Sequence, residues 1–66
     1  MKTIQSLSLG QATLLLFLKR NRGPQTVKGV ATRFANSLVM HGFVDKVGEN
    51  QVEINWAGID FAYRNL

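Results

Sequence analysis

Basic side chains are the most frequent chemically active groups in this sequence, and they are unevenly distributed. Residues 1–44 contain basic residues and no acid, which gives a charge of +6, whereas residues 45–66 carry −2, and the whole chain carries +4. The six basic residues of the first part are Lys2, Lys19, Arg20, Arg22, Lys28 and Arg33. A basic half on a small domain indicates a polyanionic partner such as nucleic acid, although a charge bias that only aids solubility gives the same pattern.

Residues suited to catalysis or metal binding are few. The sequence has no cysteine and one histidine, His41, which falls at the end of a predicted helix, where the helix dipole or the edge of the core explains it better than catalysis. Ser6, Ser8 and Ser37 have no base nearby in sequence, and the four carboxylates lack the spacing of metal ligands. We therefore predict no enzymatic activity, no metal and no cofactor.

The length of 66 residues limits the chain to one small domain, which we expect to span residues 1–66. A core of this size is marginal, and without disulfides the expected stabiliser is a partner chain. The longest apolar run, at 14–18, is far shorter than the roughly 20 residues that span a bilayer. Because its first residues lack the apolar core of a signal peptide, we expect a cytoplasmic protein with no membrane partner.

The first helix is predicted at Leu9–Arg20. Ser8 and Gln11 have the spacing of a capping box, and Lys19 and Arg20 suit the negative end of the helix dipole. Apolar residues cover nearly its whole circumference, which is too wide for an ordinary surface helix. We therefore predict that this helix also contacts a second chain. The alternative is that the C-terminal segment covers its far side.

A second helix is predicted from Thr26 to His41, ended by Gly42 in a left-handed conformation. Its predicted core face consists of Val27, Val30, Ala31, Phe34 and Leu38. Its opposite face consists of Lys28, Gly29, Thr32, Arg33, Asn36 and Met40, with Val39 at the edge. One face of this helix is thus expected to pack on the core, and the opposite face is expected to be exposed and available to bind a partner.

The last third of the sequence predicts a β-hairpin and a short helix. The strands are FVDKV and QVEIN, joined by the turn GEN. Asn55 is a suitable N-cap for the last helix, WAGIDFAYRNL, on which Trp56, Ile59 and Tyr63 share a face. The predicted fold class is α+β, with two main helices, a hairpin wing and a short C-terminal helix.

This order of elements resembles the winged helix-turn-helix family. Residues 30–44, VATRFANSLVMHGFV, are similar to that family's recognition helix and the glycine junction leading into its wing. Residues 52–59, VEINWAGI, are similar to the second wing strand and the start of the next helix, with Asn55 in the place of a threonine and Gly58 as the glycine. The resemblance covers about residues 9–65.

The resemblance implies a small winged-helix-like domain that binds double-stranded DNA and regulates transcription in bacteria, their viruses or mobile elements. Residues expected to contact bases are Arg33 and Asn36, and Thr32 is expected to contact a base or a phosphate. Residues expected to contact phosphates are Lys19, Arg20, Arg22, Lys28 and, on the wing, Lys46. The sequence departs from the family at 22–29, where the positioning helix is missing or reduced to a single turn.

Apolar residues of the same helices indicate a protein interface. The expected dimer or partner interface consists of Leu14, Leu15, Phe17, Leu18, Val39 and Met40. A homodimer would reconcile both surfaces, because paired first helices would present two basic faces to two half-sites. The leading prediction is a dimeric winged-helix DNA-binding protein. The alternative is a winged-helix-like protein-interaction module or a small inhibitor of a partner protein.

Overall fold

The computed structural model describes residues 7–66, so the predictions made for Lys2, Ser6 and the first residues of the chain fall outside it. The elements are α1 (Leu9–Arg20), β1 (Gln25–Thr26), α2 (Val30–His41), β2 (Val44–Gly48), β3 (Gln51–Ile54) and α3 (Trp56–Asn65). The strands form an antiparallel sheet of order β1-β3-β2. The fold is α+β, as predicted, and it is consistent with a small winged-helix-like domain.

Helix α1 has the predicted bounds and the predicted capping box. The backbone N–H of Gln11 donates to Ser8 Oγ at 3.2 Å, and the backbone N–H of Ser8 donates to Gln11 Oε1 at 2.7 Å. At the other end, the backbone N–H and the side-chain amide of Asn21 both donate to the carbonyl oxygen of Phe17 at 2.9 Å. Local hydrogen bonds therefore fix both ends of this helix.

The segment 22–29 is extended, and the single helical turn considered there does not form. Gln25 pairs with Val52 of β3, and the backbone N–H of Val27 donates to the carbonyl oxygen of Asn50 at 2.8 Å. The prediction that α2 starts at Thr26 is wrong, because the chain reverses at Gly29 (φ +64°) before the helix begins. Residues 22–29 thus contain the short strand β1 and no helix.

Helix α2 ends as predicted, but its buried face differs from the prediction. Gly42 is left-handed (φ +86°), and the backbone N–H of Phe43 donates to the carbonyl oxygen of Leu38 at 3.0 Å. Leu38 is buried as expected, together with Ala35, which was not expected. Val30 was assigned to the core but is 70% exposed, because the helix starts late and its first turn faces a groove beside α1.

The hairpin forms within one residue of its predicted strands. Val44 lies opposite Ile54 and Asp45 lies opposite Glu53, with an irregularity at Val47. The turn contains Asn50 in the left-handed region (φ +60°). One face of the hairpin carries the buried valine and isoleucine side chains, and the other carries the two carboxylates.

Helix α3 completes the core. Its N-cap is Asn55, as predicted, and its buried residues Gly58 and Ala62 face the rest of the domain. Phe61 stacks on Phe43 with 4.4 Å between ring centroids. The core consists of Leu15, Leu18, Val27, Ala35, Leu38, Phe43, Val44, Val52, Ile54 and Ala62. No helix within residues 7–66 is long and apolar enough to cross a membrane.

Candidate nucleic-acid interface

Helices α1 and α2 pack against each other. Near the start of α1, the side-chain amide of Gln11 hydrogen-bonds Ser37 Oγ in the second half of α2. Near the end of α1, Phe17 lines the same groove as Val30, the first residue of α2. A side-chain hydrogen bond and a shared apolar groove therefore join the two helices.

Most of the basic side chains occur between the last turn of α1 and the first turn of α2, and we call this set the basic end. It consists of Lys19, Arg20, Arg22, Lys28 and Arg33. Lys19 is half-buried and the other four are exposed. No acidic residue occurs between positions 7 and 44, so the charges of this surface are opposed only by side chains of the wing and α3.

The N-terminus of α2 adds to the positive potential of the basic end. Its N-cap is Gly29, which offers no side-chain acceptor, and its first turn has no acidic residue. Lys28 and Arg33 instead place positive charge at the positive end of the helix dipole, an arrangement that is unfavourable for the isolated helix. An anion bound nearby would relieve it.

The residues expected to read bases lie on the exposed side of α2, but not all are equally accessible. Arg33 and Asn36 are exposed and separated by three residues, so they share a face. Met40 continues that face and is 88% exposed. Thr32 is half-buried at its side. The face therefore offers two polar side chains and one large apolar side chain.

Lys46 is exposed on the wing but has acidic neighbours. It lies opposite Val52, one position away from the cross-strand pair of Asp45 and Glu53. Glu49 lies in the turn. The hairpin thus carries three carboxylates for one cation, which is a poor surface for a phosphate backbone.

Two of the predicted interface residues belong to the domain's own core. Leu15 and Leu18 are fully buried, because the sheet and α3 cover that side of α1, so the prediction that they contact a partner is corrected. Leu14 and Val39 are half-buried and pack against the core. The exposed members of the predicted set are Phe17 and Met40.

An apolar groove between α1 and α2, here called the α1–α2 groove, includes residues that the sequence analysis did not assign to an interface. Leu9 is 84% exposed and lines it together with Val30, Leu14, Phe17 and Phe34. The groove has a volume of about 530 Å³. The sequence does not identify Val30 as a groove residue, because its spacing from Phe34 and Leu38 is that of the predicted core face of α2.

Two cation–aromatic contacts join α1 and the segment after it to α3. Lys19 Nζ lies 5.7 Å from the ring centroid of Tyr63, and Arg22 Cζ lies 6.0 Å from that of Trp56. Both rings are largely exposed. The shared face of the two aromatics was visible in the sequence, but their approach to α1 depends on tertiary packing.

Among residues 7–66, no group of three or more potential ligand side chains could hold a metal ion. His41 stacks on Phe43 with 5.7 Å between centroids, at the edge of the core. On α3, Arg64 Nε forms an ion pair with Asp60 Oδ1 at 2.9 Å, and both side chains are exposed.

Comparison of the chain with protein-family models, with curated proteins and with solved structures gave no significant match. The function is therefore inferred from the residues and the geometry described above.

Proposed function

We propose that this chain is a small DNA-binding protein that contacts duplex DNA through the exposed face of α2 and the basic end. The proposal rests on one observation: residues 19–33, which run from the last turn of α1 to the first turn of α2, carry five basic side chains and no acid. Clustered lysines and arginines on one surface are the electrostatic signature of a nucleic-acid-binding protein.

In this proposal α2 enters the major groove. Arg33 donates to guanine O6 and N7, and Asn36 pairs with adenine N6 and N7. Lys28, Arg20 and Arg22 contact phosphates beside the groove and make the affinity dependent on salt. Thr32, which is half-buried, contributes a contact at the edge of the helix.

The missing positioning helix requires a different anchor on the DNA backbone. In helix-turn-helix proteins that helix crosses the phosphate backbone next to the recognition helix. Here β1 occupies its place, and the basic end of α1 takes over the phosphate contacts in our proposal. A role in transcription regulation rests on the family resemblance alone.

We also propose that the protein acts as a homodimer formed through the α1–α2 groove. Leu9, Phe17 and Val30 are 84%, 48% and 70% exposed around one groove, and a contiguous exposed apolar patch often marks a protein interface. Pairing of two grooves would bury these side chains and present two α2 faces to two half-sites.

Fluorescence anisotropy of a mixed-sequence duplex tests the DNA proposal. Between about 50 and 200 mM salt we expect a loss of affinity of one to several orders of magnitude, depending on the number of phosphate contacts. Arg33→Ala is expected to weaken binding roughly five- to hundredfold if it contacts a base. Lys46→Ala makes the same charge change on the wing, whose carboxylates make it a poor surface for phosphates, and serves as the control. No binding at low salt would refute the proposal.

A protein-interaction module is the second candidate function, and the exposure of Met40 favours it. An exposed apolar side chain at the C-terminal end of the α2 face suits a protein partner better than a phosphate backbone. Met40→Lys separates the two candidates. If α2 faces DNA, the added cation increases duplex affinity. If duplex affinity is unchanged, the α2 face does not contact DNA and the module is favoured.

A further inference from the structure

Two exposed aromatic rings on α3 form a surface that the proposed duplex contact does not use. Trp56 is 78% exposed and Tyr63 is 80% exposed. They are separated by seven residues, so they lie on the same face of the helix, roughly 10 Å apart along its axis. Large aromatic side chains are usually well buried even in small domains, so two of them on one open face call for an explanation.

Cations from the last turn of α1 and from the segment after it lie beside the two rings. Lys19 is 5.7 Å from the Tyr63 centroid and Arg22 is 6.0 Å from the Trp56 centroid. Cation–π attraction at an exposed site is weak, and it explains the position of the cations but not the exposure of the rings. Each ring keeps most of its surface free for another planar group.

We propose that this aromatic–cation face, formed by Trp56, Tyr63, Lys19 and Arg22, binds single-stranded nucleic acid. Bases stack on the two rings, and the two cations pair with the phosphates between them. Aromatic platforms combined with cations are the general means by which proteins bind single strands without sequence preference.

The charges around this face support an anionic chain as its occupant. Asp60 lies between the two rings in the helical repeat, but Arg64 pairs with it at 2.9 Å and neutralises it. Glu53 borders the same shallow pocket as Arg22 and Trp56. Its carboxylate would repel the phosphates of a bound strand. Arg20, which follows Lys19 directly and precedes Arg22 by two residues, adds a further cation at this end of α1.

A lipid surface fits this face less well than a nucleic acid. Insertion into a membrane interface needs a continuous apolar helix face. On α3, the ion pair of Asp60 and Arg64 interrupts the aromatic residues. Stacking on a surface leaves that pair in water, whereas insertion would remove it from water.

The aromatic–cation face is separate from the α2 face. Gly10 packs against Phe34 of α2, whereas Lys19 reaches Tyr63 of α3. Gly10 and Lys19 are nine residues apart, which places them on opposite sides of α1. Substitutions on α3 and on α2 therefore test the single-strand and duplex proposals independently. Lys19 and Arg22 belong to both surfaces and are left unchanged in the test.

Trp56 is the only tryptophan in the sequence, so its fluorescence reports directly on this face. We expect an oligothymidine of about 15 nucleotides to quench its emission in a saturable, salt-sensitive manner, because stacked bases contact the ring. An abasic oligomer of the same length keeps the phosphates and lacks the bases. It is expected not to quench. Equal quenching by both oligomers would overturn base stacking.

Variants locate the site. Tyr63→Leu removes a stacking ring at an exposed position and is expected to weaken oligothymidine binding roughly five- to hundredfold. Arg33→Ala is expected to leave it unchanged while weakening duplex binding. The proposal is overturned if Tyr63→Leu binds as well as the natural chain, or if Arg33→Ala weakens both ligands equally. It is also overturned if phosphatidylserine vesicles shift the Trp56 emission and oligothymidine does not.

Discussion

The side-chain amide of Asn55 donates a hydrogen bond to the carbonyl oxygen of Gly42 at 3.0 Å, so the cap of α3 also holds the end of α2. Its Oδ1 accepts a hydrogen bond from the backbone N–H of Gly58 at 2.9 Å. Its backbone N–H donates to the carbonyl oxygen of Phe43 at 3.2 Å. One side chain and its backbone thus fix the junction of α2, the wing and α3.

Replacing Asn55 tests this junction. Asn55→Ala is expected to lower the free energy of unfolding by about 1–3 kcal/mol, because it removes a helix cap and leaves a part-buried N–H without its acceptor. Urea denaturation measures the change as a shift in midpoint at constant slope. Asn36→Ala, at an exposed position of α2, is the control and should stay within about 0.5 kcal/mol. Equal losses in the two variants would contradict the role of Asn55.

Gly58 allows α3 to approach the junction closely. A Cβ atom at this position would lie 2.1 Å from the carbonyl oxygen of Phe43 and 2.8 Å from Ile54 Cγ1. Gly58→Ala is therefore expected to destabilise the domain by about 3 kcal/mol or more. Thermal unfolding followed by circular dichroism checks this against Gly48→Ala, where the nearest atom is the flexible Gln51 Oε1 at 3.0 Å. A wild-type melting temperature in Gly58→Ala would contradict the close packing.

The two faces of α2 make opposite predictions for stability. Leu38 is fully buried, and Leu38→Ala is expected to cost about 2–5 kcal/mol because it opens a cavity in a small core. Met40 is exposed, and Met40→Ala should change the free energy of unfolding by about 0.5 kcal/mol or less. Denaturant titrations of both variants give the comparison. A similar cost at both positions would mean that the helix is rotated from the arrangement described here.

The α1–α2 groove predicts the effect of a charge on self-association. Leu9→Asp places a carboxylate in the first turn of α1, where the helix dipole favours it, so the fold should be retained. In the dimer proposal this variant sediments as a monomer at concentrations where the natural chain is a dimer. Met40→Asp, outside the groove, should remain dimeric. A monomeric natural chain at high concentration would refute the dimer.

Local signals made much of the fold predictable. The capping box at Ser8 and Gln11, the left-handed Gly42 and the Asn55 cap each depend on hydrogen bonds within a few residues. These features gave the bounds of α1 and α3 and the end of α2. Alternation of buried Val52 and Ile54 with polar residues likewise located the hairpin.

Features that depend on distant contacts were not predictable. The two-residue β1 exists because Gln25 meets Val52 of β3, and nothing in its local sequence marks it as a strand. Leu15 and Phe17 are alike in sequence terms, but the packing of the sheet and α3 buries one and leaves the other exposed. The contact of Lys19 with Tyr63 also required the arrangement of α1 and α3.

The most direct test of the central claim is a map of backbone amide shifts in a ¹⁵N-labelled sample titrated with a mixed-sequence duplex at low salt. The account predicts that the largest shifts fall at 28–36 on and before α2 and at 19–22 at the end of α1. Amides of the wing turn at 48–50 should move little. Shifts confined to the α1–α2 groove or to α3, or no shifts at all, would contradict duplex binding through α2 and the basic end.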